Sequence, residues 1–291
     1  MSSKMIGKLI FNDELLQKDM NTITQFPHLE EEYAEFGIGT WKNHSLWNDD
    51  GDYKNTQYTE YATMAKITEL GKKLPYITSV IKENFDITHL KMVRARNLID
   101  GFVVPHKDFV ELDKNKAKFL RVFIPLENNK DAYHSDEYGV FQMQKGEVWR
   151  LDASIVHAAA NFGTDSRVHI CLDFQFEDPN APFESIFLDQ KTATAVVPPT
   201  VPERSIYDNL DFKLKELATR INKDNLLETL VDLSKLHFQY DVNIIDCYDW
   251  LLSVSEQAGS DEILNKTKSL KKYMIEERTL GERFTFQDYH A

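Results

Sequence analysis

The sequence has little cysteine: Cys171 and Cys247 stand far apart in 291 residues and in no metal or redox spacing. That excludes a disulfide framework and a thiolate zinc site, so any metal must be held by histidine and carboxylate. Long apolar runs are lacking too. Nothing approaches the roughly 18 consecutive apolar residues that span a bilayer, and the apolar patch from Met5 to Phe11 near the amino end is too short to do so. Positive charge is scarce, with 34 Lys and Arg against 47 Asp and Glu and a formal charge of −13. That balance opposes docking on nucleic acid or on an anionic lipid surface. No nucleic-acid partner, no membrane association and a cytoplasmic location are therefore expected. What is present is apolar material, 42% of residues with 12% aromatic, enough for one large core or two modest ones.

The chain divides near residue 200. From about 87 to 177 it reads as β. Between Val168 and Phe176 apolar and polar residues alternate, which puts Val168, Ile170, Leu172, Phe174 and Phe176 on one face and leaves the other polar. Leu120 to Leu126 has the same period, and Gly139, Gly146 and Asn128-Asn129 punctuate further short runs, as in a sandwich or barrel. The stretch 178–204, with Pro179, Pro182, Pro198, Pro199 and Pro202, reads as a linker or wrapping segment. Beyond it the period is helical: Leu210, Leu214, Leu217 and Ile221 share a face, as do Ile263, Thr267, Leu270 and Met274 after a stop at Gly259 and a cap at Ser260. In the first 85 residues helices are expected at Glu30–Gly39 and Tyr61–Lys73. The expected organisation is a β domain over 1–200 and a helical domain over 201–291.

The chemistry lies in the β part. In Pro105-His106-Lys107-Asp108 the His and Asp stand two apart in a strand context, so both side chains leave one face and can chelate one ion. His157 follows another strand-like run, Gly146 to Asp152. Alone, His157 between Val156 and Ala158 reads equally as a core histidine. Joined to His106 and Asp108, it completes the two imidazoles and one carboxylate that hold non-haem Fe(II) with positions left open for oxygen chemistry. Arg167 heads the alternating strand and shares its polar face with His169, Cys171 and Asp173, where a guanidinium can grip a dicarboxylate through paired N–H groups.

This pattern resembles the Fe(II)/2-oxoglutarate-dependent oxygenases, and among them the chain is similar to the bacterial L-proline cis-3-hydroxylases, which are aspartyl/asparaginyl hydroxylase-like. The likeness runs through Glu30-Glu31-Glu32-Tyr33, Trp41-Lys42, Leu46-Trp47-Asn48, Arg94 to Leu98, Pro105 to Asp113, His134-Ser135, Asp152 to His157, Ser166-Arg167 and Tyr248-Asp249-Trp250-Leu251. The resemblance implies a mainly β fold with α: a distorted double-stranded β-helix (a jelly roll, cupin-like) with a C-terminal helical domain. It implies Fe(II) on His106, Asp108 and His157, the distal carboxylate of 2-oxoglutarate on Arg167, and O2 as oxidant. Halogenating relatives lack the carboxylate, so Asp108 implies hydroxylation. The implied reaction converts a free amino acid, L-proline first, to its cis-3-hydroxy product with succinate and CO2.

The resemblance also makes His134 and Arg121 candidates for the cosubstrate site. Arg94 and Arg96, on one face of a strand, are candidates for the substrate carboxylate, and Trp41, Trp47 and Asn48 for closing over the ligand. Many relatives carry Ser or Thr two residues after the clamp arginine, where this chain has His169. Pipecolate or another free amino acid, a residue within a protein, and a non-catalytic metal-binding or ligand-sensing jelly roll stay open as alternatives. The helical tail is a candidate for a homodimer contact or a lid.

Overall fold

The computed structural model describes residues 3–27, 34–56, 61–108, 118–178, 183–189, 192, 202–279 and 282–286. Its strands are β1 (Lys4–Lys8), β2 (Gly37–Asn48), β3 (Lys66–Ile67), β4 (Leu90–His106), β5 (Phe119–Pro125), β6 (Ala132–Asp136), β7 (Gly139–Phe141), β8 (Glu147–Leu151), β9 (His157–Asn161) and β10 (Val168–Gln175). They form one sheet in the order β1-β8-β5-β10-β4-β9-β6-β7, with β2 laid along β4 and β3 on β2. All the strand pairs are antiparallel. The sheet curls because β4 changes partner along its length, pairing with β10 up to Asn97 and with β9 from Gly101. The bend lies at Asp100, whose φ of 42° is left-handed. Opposite it, Gly39 has φ +87°, and a Cβ there would stand 2.1 Å from the Asp100 carbonyl oxygen, so the close approach admits only glycine. The result is a curled antiparallel half-barrel of the jelly-roll kind, mainly β with α, as expected.

The alternation of β10 is realised in the packing. Ile170, Leu172, Val122, Ile124, Val93 and Ala95 point outward into a core completed by Leu16, Met20 and Ile23 of α1 (Asp13–Thr24) and Ile77 and Ile81 of α3 (Pro75–Asn84). Helix α1 starts where Asn12 accepts the Leu15 N–H at 3.1 Å and Asp13 and Glu14 face the positive end of the dipole. Helix α3 starts on Pro75, a residue whose missing N–H has no cost at that position.

A second core joins the sheet to the C-terminal helices α4 (Leu210–Arg220), α5 (Leu226–Ser234), α6 (Leu236–Gln239), α7 (Asp246–Gln257) and α8 (Asp261–Lys271). Leu217, Leu230, Tyr248, Leu251, Leu270 and Met274 pack there with Phe102, Val104, Ala158 and Ala160 of β4 and β9. At about 1.5–3 kcal/mol for each large apolar side chain buried, this contact binds the helices firmly to the strands that end at the site. Ser260 caps α8 through the Ile263 N–H, and Gly259 before it has φ +70°, as its sequence signals require.

Two expected helices are corrected. Of Glu30–Gly39, residues 28–33 lie outside the described residues, Ala34–Phe36 make a single 3-10 turn, and Gly37 already opens β2. Of Tyr61–Lys73, only Glu69–Lys72 is helical (α2), capped by Thr68, while Lys66–Ile67 are β3. In both places pairing with a neighbouring strand supplies the backbone partners that a helix would otherwise have made. The expected proline-rich linker falls largely outside the described residues, at 179–182, 190–191 and 193–201. Among the described residues no helix is long and apolar enough to cross a membrane.

Candidate active site

His106 is the last residue of β4 and His157 the first of β9, and the two are directly paired across the ladder, with ring centroids 4.4 Å apart. Asp108 lies just past the strand, tied by its backbone N–H to the Ala153 carbonyl at 2.8 Å. One ligand atom from each of the three residues falls within 4.8 Å of the others. His106 Nε2 is 3.5 Å from Asp108 Oδ1, and His157 Nε2 is 4.0 Å from Oδ2.

The imidazoles are oriented in the same way. Nδ1 of His106 lies 2.8 Å from the Val104 carbonyl and Nδ1 of His157 lies 3.0 Å from that of Ile155. A carbonyl only accepts, so each Nδ1 carries the proton and each Nε2 offers a lone pair to a common point. Burial, and then His106, push the His157 pKa down to about 3, which makes it a neutral ligand. Burial works to raise the Asp108 pKa, but the Arg121 guanidinium and His106 hold it well below the carboxylate range. Two imidazole nitrogens, each ring anchored by a backbone carbonyl, and one carboxylate anchored by Arg121 are a donor set suited to Fe(II).

Four arginines face inward behind this trio, and they fall into two kinds. Arg94 and Arg121 are ion-paired. Asp173 accepts from Arg121 Nε at 2.7 Å with one oxygen and from Arg94 with the other, while Arg121 also reaches Asp108. Arg96 and Arg167 have no carboxylate partner among the described residues. Arg96 lies between two rings, 5.8 Å from the Trp41 centroid and 5.6 Å from that of Phe123, a cation–π arrangement that holds the guanidinium in place. Burial and Arg94 lower its pKa to about 10, and burial and Arg96 do the same to Arg167.

Arg96 and Arg167 open on one recess of about 500 Å³, together with His106, His157, His134 and Trp41. Arg167 and His134 also border a smaller recess of about 250 Å³, where His169 and Tyr133 join them. Neither ring nitrogen of buried His134 has a partner, nor does Nδ1 of His169 or Nη2 of Arg167, among the described residues. Buried polar groups seldom stay unsatisfied, so these four atoms mark where a polar ligand belongs.

Trp47 and Asn48 are not brought to the recess. Trp47 is 3% exposed in the outer core, with the Lys82 ammonium 5.7 Å from its ring. The Asn48 amide binds the loop that follows it, donating to the Asp52 and Asn55 carbonyls at 2.7 and 2.9 Å and accepting from Gly51 N–H. Strand β2 slips register between Ser45 and Trp47, which turns Trp47 to the face opposite Trp41. Sequence reasoning left out Phe123 and the bridging part of Asp173. The inward phase of β10 was the available signal for Asp173, but which arginines it meets depends on the cross-strand register.

The family described as aspartyl/asparaginyl beta-hydroxylase matches residues 10–176, and that described as L-proline 3-hydroxylase, C-terminal, matches residues 184–282. L-proline cis-3-hydroxylase 2 of a Streptomyces species is 37% identical over 99% of this chain and 100% of its own length. L-proline cis-3-hydroxylase 1 of Streptomyces is 35% identical over 98% and 99%. L-proline cis-4-hydroxylase of Rhizobium meliloti is 28% identical over 98% of this chain and 100% of its own.

Proposed function

The chain belongs to the L-proline cis-3-hydroxylase family, and from that membership we propose that it hydroxylates free L-proline at carbon 3 on the cis face, with Fe(II), 2-oxoglutarate and O2. The observation that carries the reading is charge: the recess beside His106, Asp108 and His157 holds two guanidiniums without a carboxylate, and the reaction has two carboxylates to seat away from the metal. Iron(II) bound by the three ligands supplies the activation of O2, with 2-oxoglutarate as reductant, that leaves succinate, CO2 and the hydroxylated product.

The side chains have separate tasks. The Val104 and Ile155 carbonyls fix the tautomers of His106 and His157. Arg121 orients the Asp108 carboxylate and is itself fixed by Asp173. Arg167 takes the distal carboxylate of 2-oxoglutarate, and His134 and His169, neutral through burial, donate to the same group. His169 thereby does the work of the hydroxyl residue found in many relatives. Arg96 takes the carboxylate of proline, with Trp41 and Phe123 excluding water around the pair. Arg94 and Arg121 are left as supports, since moving either to a ligand would strip Asp173 of a buried partner. On this reading residues 1–200 carry the chemistry, residues 201–291 support it, and the enzyme works in the cytoplasm on a small molecule with no nucleic-acid partner.

The test is turnover begun by admitting air to anaerobic enzyme, Fe(II) and 2-oxoglutarate with L-proline, pipecolate, prolinamide or a proline-containing peptide. Succinate formation coupled to one added oxygen on L-proline, placed on carbon 3 by NMR, is the expected result. Equal turnover of prolinamide or the peptide would remove the carboxylate anchor and with it the free amino acid.

A further inference from the structure

The backbone joining His106 to Asp108 is held chiefly from the C-terminal region. Beyond His106 the β4 ladder has ended. The Tyr248 hydroxyl on α7 donates to the Pro105 carbonyl. The Lys107 N–H donates to the Met274 carbonyl at 3.0 Å, and Arg278 Nη2 donates to the Lys107 carbonyl at 2.6 Å. From the β part comes the bond of the Asp108 N–H to Ala153.

Arg278 is itself immobilised. It is buried, its Nη1 donates to the Tyr273 carbonyl at 3.3 Å, and its guanidinium lies 5.4 Å from the Phe36 ring and 5.6 Å from that of Tyr273. Phe36 in turn packs on the His106 imidazole at 4.8 Å. Arg278 thus touches the backbone just after His106 and, through Phe36, the ring of His106.

We propose that Arg278 is a positioning residue for the metal site, with Tyr248 beside it, so that the C-terminal helices set the bite of the His106–Asp108 chelate. Two ligands separated by one residue have a spacing governed by the torsions around that residue. Fixing both peptide groups of Lys107 removes this freedom before the ion arrives, which is where a preorganised chelate gains affinity. Arg278 is far along the chain from every ligand, and its contact with Lys107 arises because the π-helical turn Lys272–Glu276, which follows α8, brings the segment to the end of β4.

The inference rests on His106, Asp108 and His157 being a metal site, and the experiment separates the two. Anaerobic titration of the full-length protein with Fe(II), and with Co(II) followed by its visible spectrum, gives metal affinity without turnover. Arg278→Met weakens binding about tenfold to a hundredfold, the usual loss when an outer support of a metal ligand is removed. Arg278→Lys, which keeps a donor for the Lys107 carbonyl, recovers most of that loss. Tyr248→Phe, which deletes one hydroxyl, weakens binding a few-fold. The 2-oxoglutarate affinity of the metal-saturated variants stays at the wild-type value, because the Arg167 recess is untouched. A folded Arg278→Met with wild-type metal affinity overturns the proposal. If that variant does not fold, wild-type metal affinity in a folded Tyr248→Phe overturns it instead. A wild-type chain that binds no more metal than His106→Ala removes the metal site and the positioning role with it.

Discussion

Strand β10 builds two unlike surfaces from alternate residues. On its outer face Val168, Ile170, Leu172 and Phe174 are fully buried in the core shared with α1 and α3. On its inner face His169, Cys171 and Asp173 stand opposite Arg96 and Arg94 on β4 and Arg121 and Phe123 on β5. The outer face removes apolar area from water at about 25 cal/mol per Å². The inner face sinks charge into the same sheet, where ion pairing at best roughly offsets desolvation. Stability and reactivity thus lie one residue apart, and substitutions on the two faces should separate cleanly.

The largest effect is expected at the rim of the inner face. Alanine at His106, Asp108 or His157 takes coupled succinate and hydroxyproline formation below detection while circular dichroism keeps the wild-type spectrum, since the outer core is untouched. Next comes Asp173→Asn, which leaves two buried guanidiniums without their shared partner and costs about 3–5 kcal/mol in chemical denaturation. Its outward neighbour Leu172→Ala costs about 2–5 kcal/mol by cavity formation, but 2-oxoglutarate affinity stays unchanged. A Leu172→Ala protein that lost cosubstrate affinity would break the division between the faces.

Arg167→Met is expected to do the reverse. It raises the 2-oxoglutarate requirement by about 1.5–3 kcal/mol for each charge-assisted bond lost, roughly tenfold to a hundredfold. Without ligands its melting temperature equals or exceeds the wild type, because a buried cation lacking a carboxylate partner has been removed. A lower melting temperature would mean that Arg167 is structurally paired.

The smallest effect is a slope with pH. His237, buried against the Ser135 hydroxyl, has its pKa pushed by burial from 6.5 down to about 3, and burial also lowers those of His134 and His169. The unfolded chain therefore binds more protons than the folded one between about pH 3 and 6.5. Metal-free stability is full above that window and falls as pH drops through it, by about 1.4 kcal/mol per pH unit for each histidine fully titrated. His237→Gln should flatten the slope, which equilibrium unfolding at a series of pH values reads directly.

Much of this was legible because it is periodic. The alternation of Val168–Phe176 gave the strand and both of its faces, and Leu210 to Ile221 gave α4. The His106-x-Asp108 spacing gave the chelate, because side chains two apart in a strand share a side. Legibility failed where pairing between distant segments overrode local pattern. Glu30–Gly39 and Tyr61–Lys73 carry helix-favouring residues, yet Gly37 begins β2 and Lys66–Ile67 pair with Trp47 and Asn48. Trp47 was a candidate, with Trp41, for closing over the ligand, and a register slip between Ser45 and Trp47 turns it to the opposite face.

The sequence by itself determined the kinds of chemistry available: two imidazoles and a carboxylate in chelating reach, no thiolate alternative, and a set of inward arginines fixed by strand phase. Only the tertiary structure decided which of those arginines are free to hold a ligand. Phase tells which side of a sheet a charge takes, but pairing depends on through-space distance between strands. Asp173 reaches Arg94 and Arg121 and not Arg96, because the register of β10 with β4 and β5 places it between the first two.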